Sequence, residues 1–309
     1  MTIKKIAAVL MSLVLAFSFA SCAKKDSSEE SRNPSSEDEP AIESVYPISI
    51  GDVEITQAPE SVVSLSPATT ELICDLGYFD KLAGVSDYCN YEAQDITALP
   101  TFGTVNSVEI DELLALKPSL VLSVSPIAEA ARTALTEENI TVLVLPRAND
   151  PAELSELYTN ISTIFEGEAI GTEKGEGFFA EHYAIVEAAA QKLGEAHEKP
   201  LEAAYLRVMP LTLATGDSFE GKLLAACGFT NSAEGYTEWI YPQEKAVDLM
   251  PEVIFYDKAI GIDAIKATQI YNTTPAYKNE KCFEVDMEVF ERQGARMFAM
   301  LEQMVESAG

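Results

Sequence analysis

Histidine and tryptophan are scarce in this chain of 309 residues, which holds only His182, His197 and Trp239. A cleft that binds a bare zinc or manganese ion needs several histidines and acids converging on one point. The Cys-x-x-Cys spacing, the His-Glu-x-x-His and Gly-x-Ser-x-Gly motifs and a phosphate-binding loop are also missing. We therefore predict no catalytic residues, no metal site and no resident cofactor.

Basic residues are few as well. The chain has 21 lysines and arginines against 50 acids, for a formal net charge of −29. Such a field repels the phosphates of nucleic acids and anionic lipid surfaces, so neither is an expected partner. Hydrophobic residues make up 47% of the chain, enough for a large core. We expect a monomer.

Only one long apolar run exists, at residues 6–19, directly after Lys4 and Lys5. It is shorter than the roughly 20 residues that a membrane-spanning helix needs. A basic start, a short apolar run and small residues before a cleavage site predict a signal peptide over residues 1–21. Residues 19–22, Phe-Ala-Ser-Cys, resemble the bacterial lipobox, although an aliphatic residue is usual where phenylalanine stands. The resemblance implies that Cys22 is lipidated; a chance cysteine after an ordinary signal is the alternative.

Residues 22–44 contain Lys, Asp, Ser, Glu, Asn and Pro without an apolar cluster. Such a segment buries too little surface to offset its ordering entropy, so we predict a disordered tether. The protein is thus expected at the extracellular face of the cell membrane, which it would contact through its lipid only.

Four further cysteines are Cys74, Cys89, Cys227 and Cys282. An exported protein can oxidise them, and four cysteines allow three pairings. Free buried thiols are an equal alternative.

Residues 45–168 alternate short apolar strands with helices, which predicts an amino-terminal α/β lobe on a parallel sheet. Thr69, Thr70 and Glu71 stand at the start of its first helix, where side-chain oxygens can cap free amides. The predicted strands are 61–65, 82–86, 120–124 and 141–145, and the predicted helices are 68–76, 110–116, 127–139 and 151–165.

Residues 199–309 repeat this alternation and predict a carboxy-terminal α/β lobe. The predicted strands are 203–208, 253–256 and 282–285, and the predicted helices are 220–227, 245–250 and 291–307.

Residues 169–198 carry no strand signal and predict one long helix, which includes both histidines. A helix of about 25 residues is roughly 37 Å long, the span needed to cross between lobes. The predicted fold is therefore α/β, with two Rossmann-like lobes joined by a single long helix and a ligand cleft between them.

Several segments resemble the substrate-binding proteins of cobalamin and ferric-siderophore ABC importers, a periplasmic binding protein family with a helical backbone. The resemblance covers roughly residues 45–305 and implies an extracellular receptor. That receptor would deliver a metal chelate (cobalamin or another corrinoid, a ferric siderophore, or haem) to an importer permease. The segments are VSLSPATTEL at 63–72, GVSDY at 84–88, ELLALKPSLV at 112–121, TGDSF at 215–219, ACGF at 226–229 and FERQGAR at 290–296.

The resemblance also implies one permease-docking carboxylate on each lobe, seven residues before the proline that opens a strand. Counting back from Pro118 and Pro251 gives Asp111 and Glu244. Each would form a charge-assisted ion pair with a permease arginine. An acid that only complements the helix dipole is the alternative role. Because the family prefers glutamate where Asp111 stands, the neighbouring acids Glu109 and Glu112 are further candidates.

Aromatic faces suit a flat macrocycle or a catechol, so aromatic residues near strand ends are ligand candidates. Packing inside a lobe is the alternative for each ring. Arg207, in an otherwise apolar strand, indicates either a bound anion or a buried ion pair. Arg296 matches a family position, but we expect it to cap or pair within the final helix. The predicted ligand-binding residues are Tyr88, Phe102, Arg207, Tyr236, Trp239 and Tyr241.

Two other classes of function compete with the importer receptor. A surface sensor or adhesion lipoprotein could use the same lobes without a permease. A lipid-anchored hydrolase is a third class, which no residue spacing supports, so we predict that the protein is not an enzyme.

Overall fold

The computed structural model describes residues 45–309. The predicted signal peptide, Cys22 and the tether lie outside these residues. Within residues 45–309, no helix has the length and apolar character that crossing a membrane requires.

The amino-terminal lobe is an α/β unit, as predicted. A short hairpin precedes the first strand of its main sheet, and a second short hairpin is inserted before its second helix. Its elements are β1 (Ile48–Ile50), β2 (Val53–Ile55), β3 (Val62–Ser64), α1 (Pro67–Asp75), β4 (Leu82–Val85), β5 (Gly103–Thr104), β6 (Ser107–Val108), α2 (Ile110–Leu116), β7 (Leu120–Ser123), α3 (Glu129–Glu137) and β8 (Thr141–Val144), with 3₁₀ helices at Phe79–Lys81 and Ile96–Ala98.

The main sheet of this lobe is parallel, in the order β4-β3-β7-β8. Val62, Val63 and Val121 on its central strands are fully buried. Helices therefore cover both faces, which explains why these strands are continuous apolar runs in the sequence.

Helix α1 begins directly after Ser66, with Pro67 in its first turn, where a missing N–H costs nothing. The hydroxyls of Thr69 and Thr70 donate to the Ser66 carbonyl at 3.0 and 3.1 Å. The prediction that Thr69, Thr70 and Glu71 cap free amides is therefore wrong, because two of these side chains donate to a carbonyl and Glu71 binds arginines, as described below.

Two helices follow β8 and pack against each other, α4 (Pro151–Glu166) and α5 (Glu168–Ala196). Helix α5 has 29 residues, about 43 Å at the usual rise. A Cβ on Gly171 would lie 2.3 Å from the Thr163 Cα, so glycine is needed where the two helices approach. Helix α5 also packs against α6 and α11 of the other lobe, as a joining helix must.

The described chain begins at the turn between these two helices. The Tyr46 hydroxyl donates to the Ile164 carbonyl at 2.9 Å, and the Glu168 N–H donates to the Val45 carbonyl at 3.4 Å. The first residues of the body are thus attached to the ends of α4 and α5.

The carboxy-terminal lobe holds a five-stranded sheet in the order β10-β9-β12-β13, with β11 also paired to β9. All of its pairs are parallel except that of β10 with β9. Its elements are β9 (Glu202–Val208), β10 (Thr212–Leu213), α6 (Phe219–Ala226), β11 (Thr230–Asn231), β12 (Val253–Asp257), α7 (Ile262–Ala267), α8 (Gln269–Asn272), α9 (Pro275–Lys278), β13 (Cys282–Val285), α10 (Met287–Phe290) and α11 (Ala295–Ala308), with a 3₁₀ helix at Gln243–Asp248.

Two predicted helices differ in the structure. Residues 245–250 were expected to be helical, and the chain instead forms the 3₁₀ helix Gln243–Asp248. The closing helix was expected to start at Glu291, but it starts at Ala295. Residues 291–294 form a loop because their polar groups bind partners elsewhere in the fold.

Cys74, Cys89, Cys227 and Cys282 are all free thiols. Burial raises the pKa of the Cys227 thiol to about 12, so it stays protonated and unreactive at neutral pH.

Candidate functional site

A cavity of about 340 Å³ lies between the two lobes. The amino-terminal lobe contributes the segment after β8, and the carboxy-terminal lobe contributes the end of β9, the start of α6 and two loops. Ligands of open α/β sheets bind at such carboxyl ends of strands. The lining residues are Arg147, Ala148, Asn149, Arg207, Asp217, Ser218, Phe219, Glu220, Trp239 and Glu291.

Two ion pairs, which we call the cavity pairs, occupy its walls. Arg147 Nη2 lies 3.1 Å from Glu220 Oε1 and joins the lobes, while Arg207 Nη2 lies 2.9 Å from Glu291 Oε2 within one lobe. The carboxylate side chains are 4% and 8% exposed, whereas the arginine side chains are 42% and 39% exposed. A ligand entering the cavity would therefore meet the guanidinium groups first.

Burial raises the pKa of both Glu220 and Glu291. Arg147 opposes this shift at Glu220, and Arg207 opposes it at Glu291, where the Tyr205 hydroxyl also donates a hydrogen bond at 3.1 Å. Burial has the larger effect, so Glu220 and Glu291 take up protons at a higher pH than ordinary glutamates do. The net charge of the cavity therefore becomes more positive at that higher pH.

Trp239 is held in the cavity wall by a strained turn. Glu238 and Trp239 have φ angles of 57° and 62°, a left-handed conformation that is rare for a bulky residue. The Trp239 N–H donates to the Thr215 hydroxyl at 3.1 Å, and the Glu238 N–H donates to Asp217. The hydrogen bond that the Thr215 hydroxyl donates to Asp217, together with the one from the Glu238 N–H, lowers the pKa of Asp217. Strain of this kind persists where surrounding contacts enforce it, often at functional sites.

The Trp239 ring lies beside Arg207, whose guanidinium carbon is 5.2 Å from the ring centroid. The Trp239 and Tyr205 rings also meet edge to face, with centroids 6.2 Å apart. Of the six predicted ligand-binding residues, the structure brings Arg207 and Trp239 together in the cavity, and Arg207 adopts the ion pair that was one of its two predicted roles.

The structure does not place the other four predicted residues in the cavity lining. Phe102 is buried, its ring fills the space left by the absent Cβ of Gly84, and its role in ligand binding stays a prediction. Tyr241 is buried in the carboxy-terminal lobe, and Tyr236 packs on it with ring centroids 4.6 Å apart. Both rings pack with that lobe's core, and their role in ligand binding stays a prediction.

Tyr88 is 70% exposed in the loop after β4. It lies outside the cavity lining, on the surface of the amino-terminal lobe. Its role in binding stays a prediction.

Asp111 and Glu244 are exposed on different lobes. Asp111 lies in the first turn of α2, and Glu244 in the 3₁₀ helix Gln243–Asp248. Neither carboxylate forms an ion pair with another residue in the described part of the chain. Both are thus available to a partner, and so are Glu109 and Glu112, which are also exposed.

Sequence reasoning missed Arg147, Glu220 and Glu291 as cavity residues. Arg147 follows an apolar strand, Glu220 follows the Thr-Gly-Asp turn, and Glu291 precedes an arginine. Each position was therefore only a weak indication of a cavity residue. Among residues 45–309, no three histidine, cysteine or acidic side chains converge as a metal site would require.

The expectation that Arg296 caps or pairs within the final helix is wrong. Its Nε donates to Glu71 Oε2 at 3.2 Å, and Arg292 Nη1 donates to Glu71 Oε1 at 2.8 Å. Two arginines of the carboxy-terminal lobe thus meet one buried acid of the amino-terminal lobe.

Comparison with known proteins gives consistent results. The sequence pattern of the family described as Periplasmic binding protein matches residues 62–289. The uncharacterized ABC transporter substrate-binding lipoprotein YvrC of Bacillus subtilis (strain 168) is 28% identical over 280 residues, covering 85% of this chain and 86% of that protein. A vitamin B12-binding protein of Vibrio campbellii is 24% identical over 268 residues, covering 84% and 94%.

Solved structures share the fold. The periplasmic heme-binding protein HutB of Vibrio cholerae superposes with a TM-score of 0.66 at 21% identity, over 80% of this chain and 97% of that one. The periplasmic vitamin B12-binding protein BtuF of Vibrio cholerae gives a TM-score of 0.62 at 19% identity, over 81% and 96%. The two-lobed α/β fold predicted from the sequence is thereby confirmed.

Proposed function

This chain belongs to the periplasmic binding protein family, and we propose that it captures a metal chelate outside the cell and delivers it to the permease of an ABC importer. The observation that carries this proposal is the cavity between the lobes, which both lobes line and in which Trp239 lies beside Arg207. A cavity built from two lobes links ligand binding to lobe spacing, which is what a permease can sense.

The proposed ligand is a corrinoid, a haem or a ferric siderophore. Relatives of similar sequence or fold are named for vitamin B12 and heme. Trp239 offers an aromatic face, and Arg147 and Arg207 offer half-exposed guanidinium groups. Since the cavity measures about 340 Å³, a whole macrocycle would need the lobes to part or would extend outside it.

The proposed permease contacts are Asp111 and Glu244, one on each lobe. Val247 is 76% exposed three residues after Glu244, and residues three apart on a 3₁₀ helix share a face. Ile240, also exposed, lies four residues before Glu244. An acid with apolar neighbours fits a partner surface that surrounds an arginine with apolar residues.

We further propose that Cys22 carries a lipid and that residues 22–44 tether the body to the outer face of the cell membrane. One relative is named a lipoprotein. A random-coil tether of about 22 residues would give a mean reach of roughly 25 Å. That reach lets the body turn toward a permease in the same membrane.

Ligand binding can be tested by fluorescence, because Trp239 is the only tryptophan. Residues 45–309 are titrated with cyanocobalamin, haemin and a ferric catecholate. We expect one of them to change Trp239 emission with saturation. A parallel titration of N-acetyltryptophanamide measures the inner-filter contribution of these coloured ligands. A ligand that binds tightly by calorimetry without changing Trp239 emission would overturn this placement of the site.

Delivery is tested separately by uptake in cells. Glu244→Arg should abolish uptake of the ligand while leaving its binding intact, because an arginine would face the arginine of the permease. Glu302→Arg, which reverses an exposed acid on α11, is the matched control and should leave uptake normal. Normal uptake with Glu244→Arg would favour a sensor or adhesion protein instead.

A further inference from the structure

The loop between α10 and α11, residues 291–294, belongs to the carboxy-terminal lobe in sequence but binds the other lobe. Arg292 donates to Glu71 at 2.8 Å. The Gln293 side chain accepts from the Ala148 N–H at 3.0 Å and donates to the Ala148 carbonyl at 2.7 Å. The loop therefore serves as a second connection between the lobes, in addition to α5.

Glu71 is the centre of this connection, with only 1% of its side chain exposed. It accepts hydrogen bonds from Arg292 in the loop and from both Nε and Nη2 of Arg296 on α11. We call these three residues the interlobe clamp. Because one carboxylate binds two guanidinium groups on successive elements, it fixes the loop relative to both α1 and α11.

Gln293 extends this control to the cavity. It is 1% exposed, has a φ of 60°, and its carbonyl accepts a hydrogen bond from Tyr158 at 2.5 Å. Its partner Ala148 follows Arg147 in one cavity wall, while Glu291, at the start of the loop, lies in the other wall. The position of the loop therefore sets the spacing of the two walls.

We propose that Glu71 is a positioning residue for the cavity. It holds the 291–294 loop through Arg292 and Arg296, and the loop sets the distance between Arg147 and Glu291. Glu71 does not line the cavity. The importance of this spacing for ligand binding rests on the proposed function, but the spacing itself can be measured without a ligand.

The test uses Trp239 in the ligand-free protein. Glu71→Gln keeps the side-chain volume but removes the buried carboxylate from both guanidinium groups, while Arg292 retains its 3.6 Å ion pair with Glu288. We expect acrylamide quenching of Trp239 to increase about twofold and amide exchange of segments 147–149 and 291–294 to become at least about threefold faster. Arg296→Met keeps the Glu71–Arg292 pair and should give a smaller change in the same direction.

Glu288→Gln is the matched control. Glu288 also contacts Arg292, at 3.6 Å, but its side chain is 53% exposed. We expect both readouts to stay at the wild-type values in this variant. Circular dichroism shows which variants are folded, and if Glu71→Gln is not, Arg296→Met decides the question.

Normal quenching and exchange in folded Glu71→Gln and Arg296→Met proteins, even with lower melting temperatures, would overturn the proposal and leave Glu71 a purely stabilising residue. A protein that binds none of the three chelates would overturn the proposed function instead. That result would not affect the quenching experiment, so the two failures are distinguishable.

Discussion

The interlobe clamp and the cavity pairs lie on either side of the 291–294 loop, and they differ in their exposure to solvent. In the clamp, Glu71 is buried and the side chains of Arg292 and Arg296 are 12% and 29% exposed. In the cavity pairs, each buried glutamate has a single arginine that is about 40% exposed. The clamp surrounds one charge with two opposite charges, whereas each cavity pair leaves a guanidinium accessible. The first arrangement suits a fixed joint, and the second suits exchange of partners with a ligand.

The largest expected effect is on the clamp. Glu71→Gln should lower the free energy of unfolding by about 3 kcal/mol, because removing one partner of a buried ion pair leaves uncompensated charge. Urea denaturation of residues 45–309 measures it. Glu288→Gln should stay within about 0.5 kcal/mol of the wild type, as exposed pairs do. If Glu71→Gln and Glu288→Gln lost the same free energy of unfolding, the buried ion pairs of the clamp would be no stronger than an exposed one.

A smaller loss of unfolding free energy is expected from a substitution where the 291–294 loop meets α4. Tyr158→Phe removes the hydroxyl that donates to the Gln293 carbonyl and leaves a buried acceptor without that partner. We expect a loss of about 1–2 kcal/mol in the same urea assay. Tyr183→Phe, on α5 and half-buried, is a control that should cost less. A Tyr158→Phe protein as stable as the wild type would show that the loop is fixed by the arginines alone.

The smallest expected effect is that of Glu220→Gln, which should raise the free energy of unfolding rather than lower it. Because burial raises the pKa of Glu220, the folded protein holds its proton more tightly than the unfolded chain does. Its contribution to stability therefore falls as pH rises from the ordinary value of 4.5 through the raised pKa. Glu220→Gln avoids this penalty, so at pH 7 it should match or exceed the wild type, by at most about 1 kcal/mol.

Urea denaturation at several pH values checks this prediction. The difference between Glu220→Gln and the wild type should shrink to zero below pH 4.5, where Glu220 is protonated in both states. A loss of more than about 2 kcal/mol at pH 7 would place this cavity pair in the same class as the clamp.

Sequence reasoning predicted the strands well because they are apolar runs buried on both faces, as at Val121 and Phe255. It failed on single side chains whose surroundings come from distant parts of the chain. Glu71 and Arg296 are 225 residues apart. Helix propensity at Arg292 and Gln293 gave way to their bonds with the other lobe. The structure buries Phe102 and Tyr241 inside their lobes, and an aromatic residue beside a strand end fits a core as well as a cleft, so the sequence alone does not separate the two roles.

The attachment of Val45 and Tyr46 to the turn between α4 and α5 has a mechanical consequence. A molecule held from its amino-terminal side would receive the load at the ends of two helices that pack along each other. These are the carboxyl end of α4 and the start of α5, whereas the cavity wall at 147–149 adjoins the opposite end of α4. A pull on the amino-terminal side should therefore load the α4–α5 contact before it reaches the cavity.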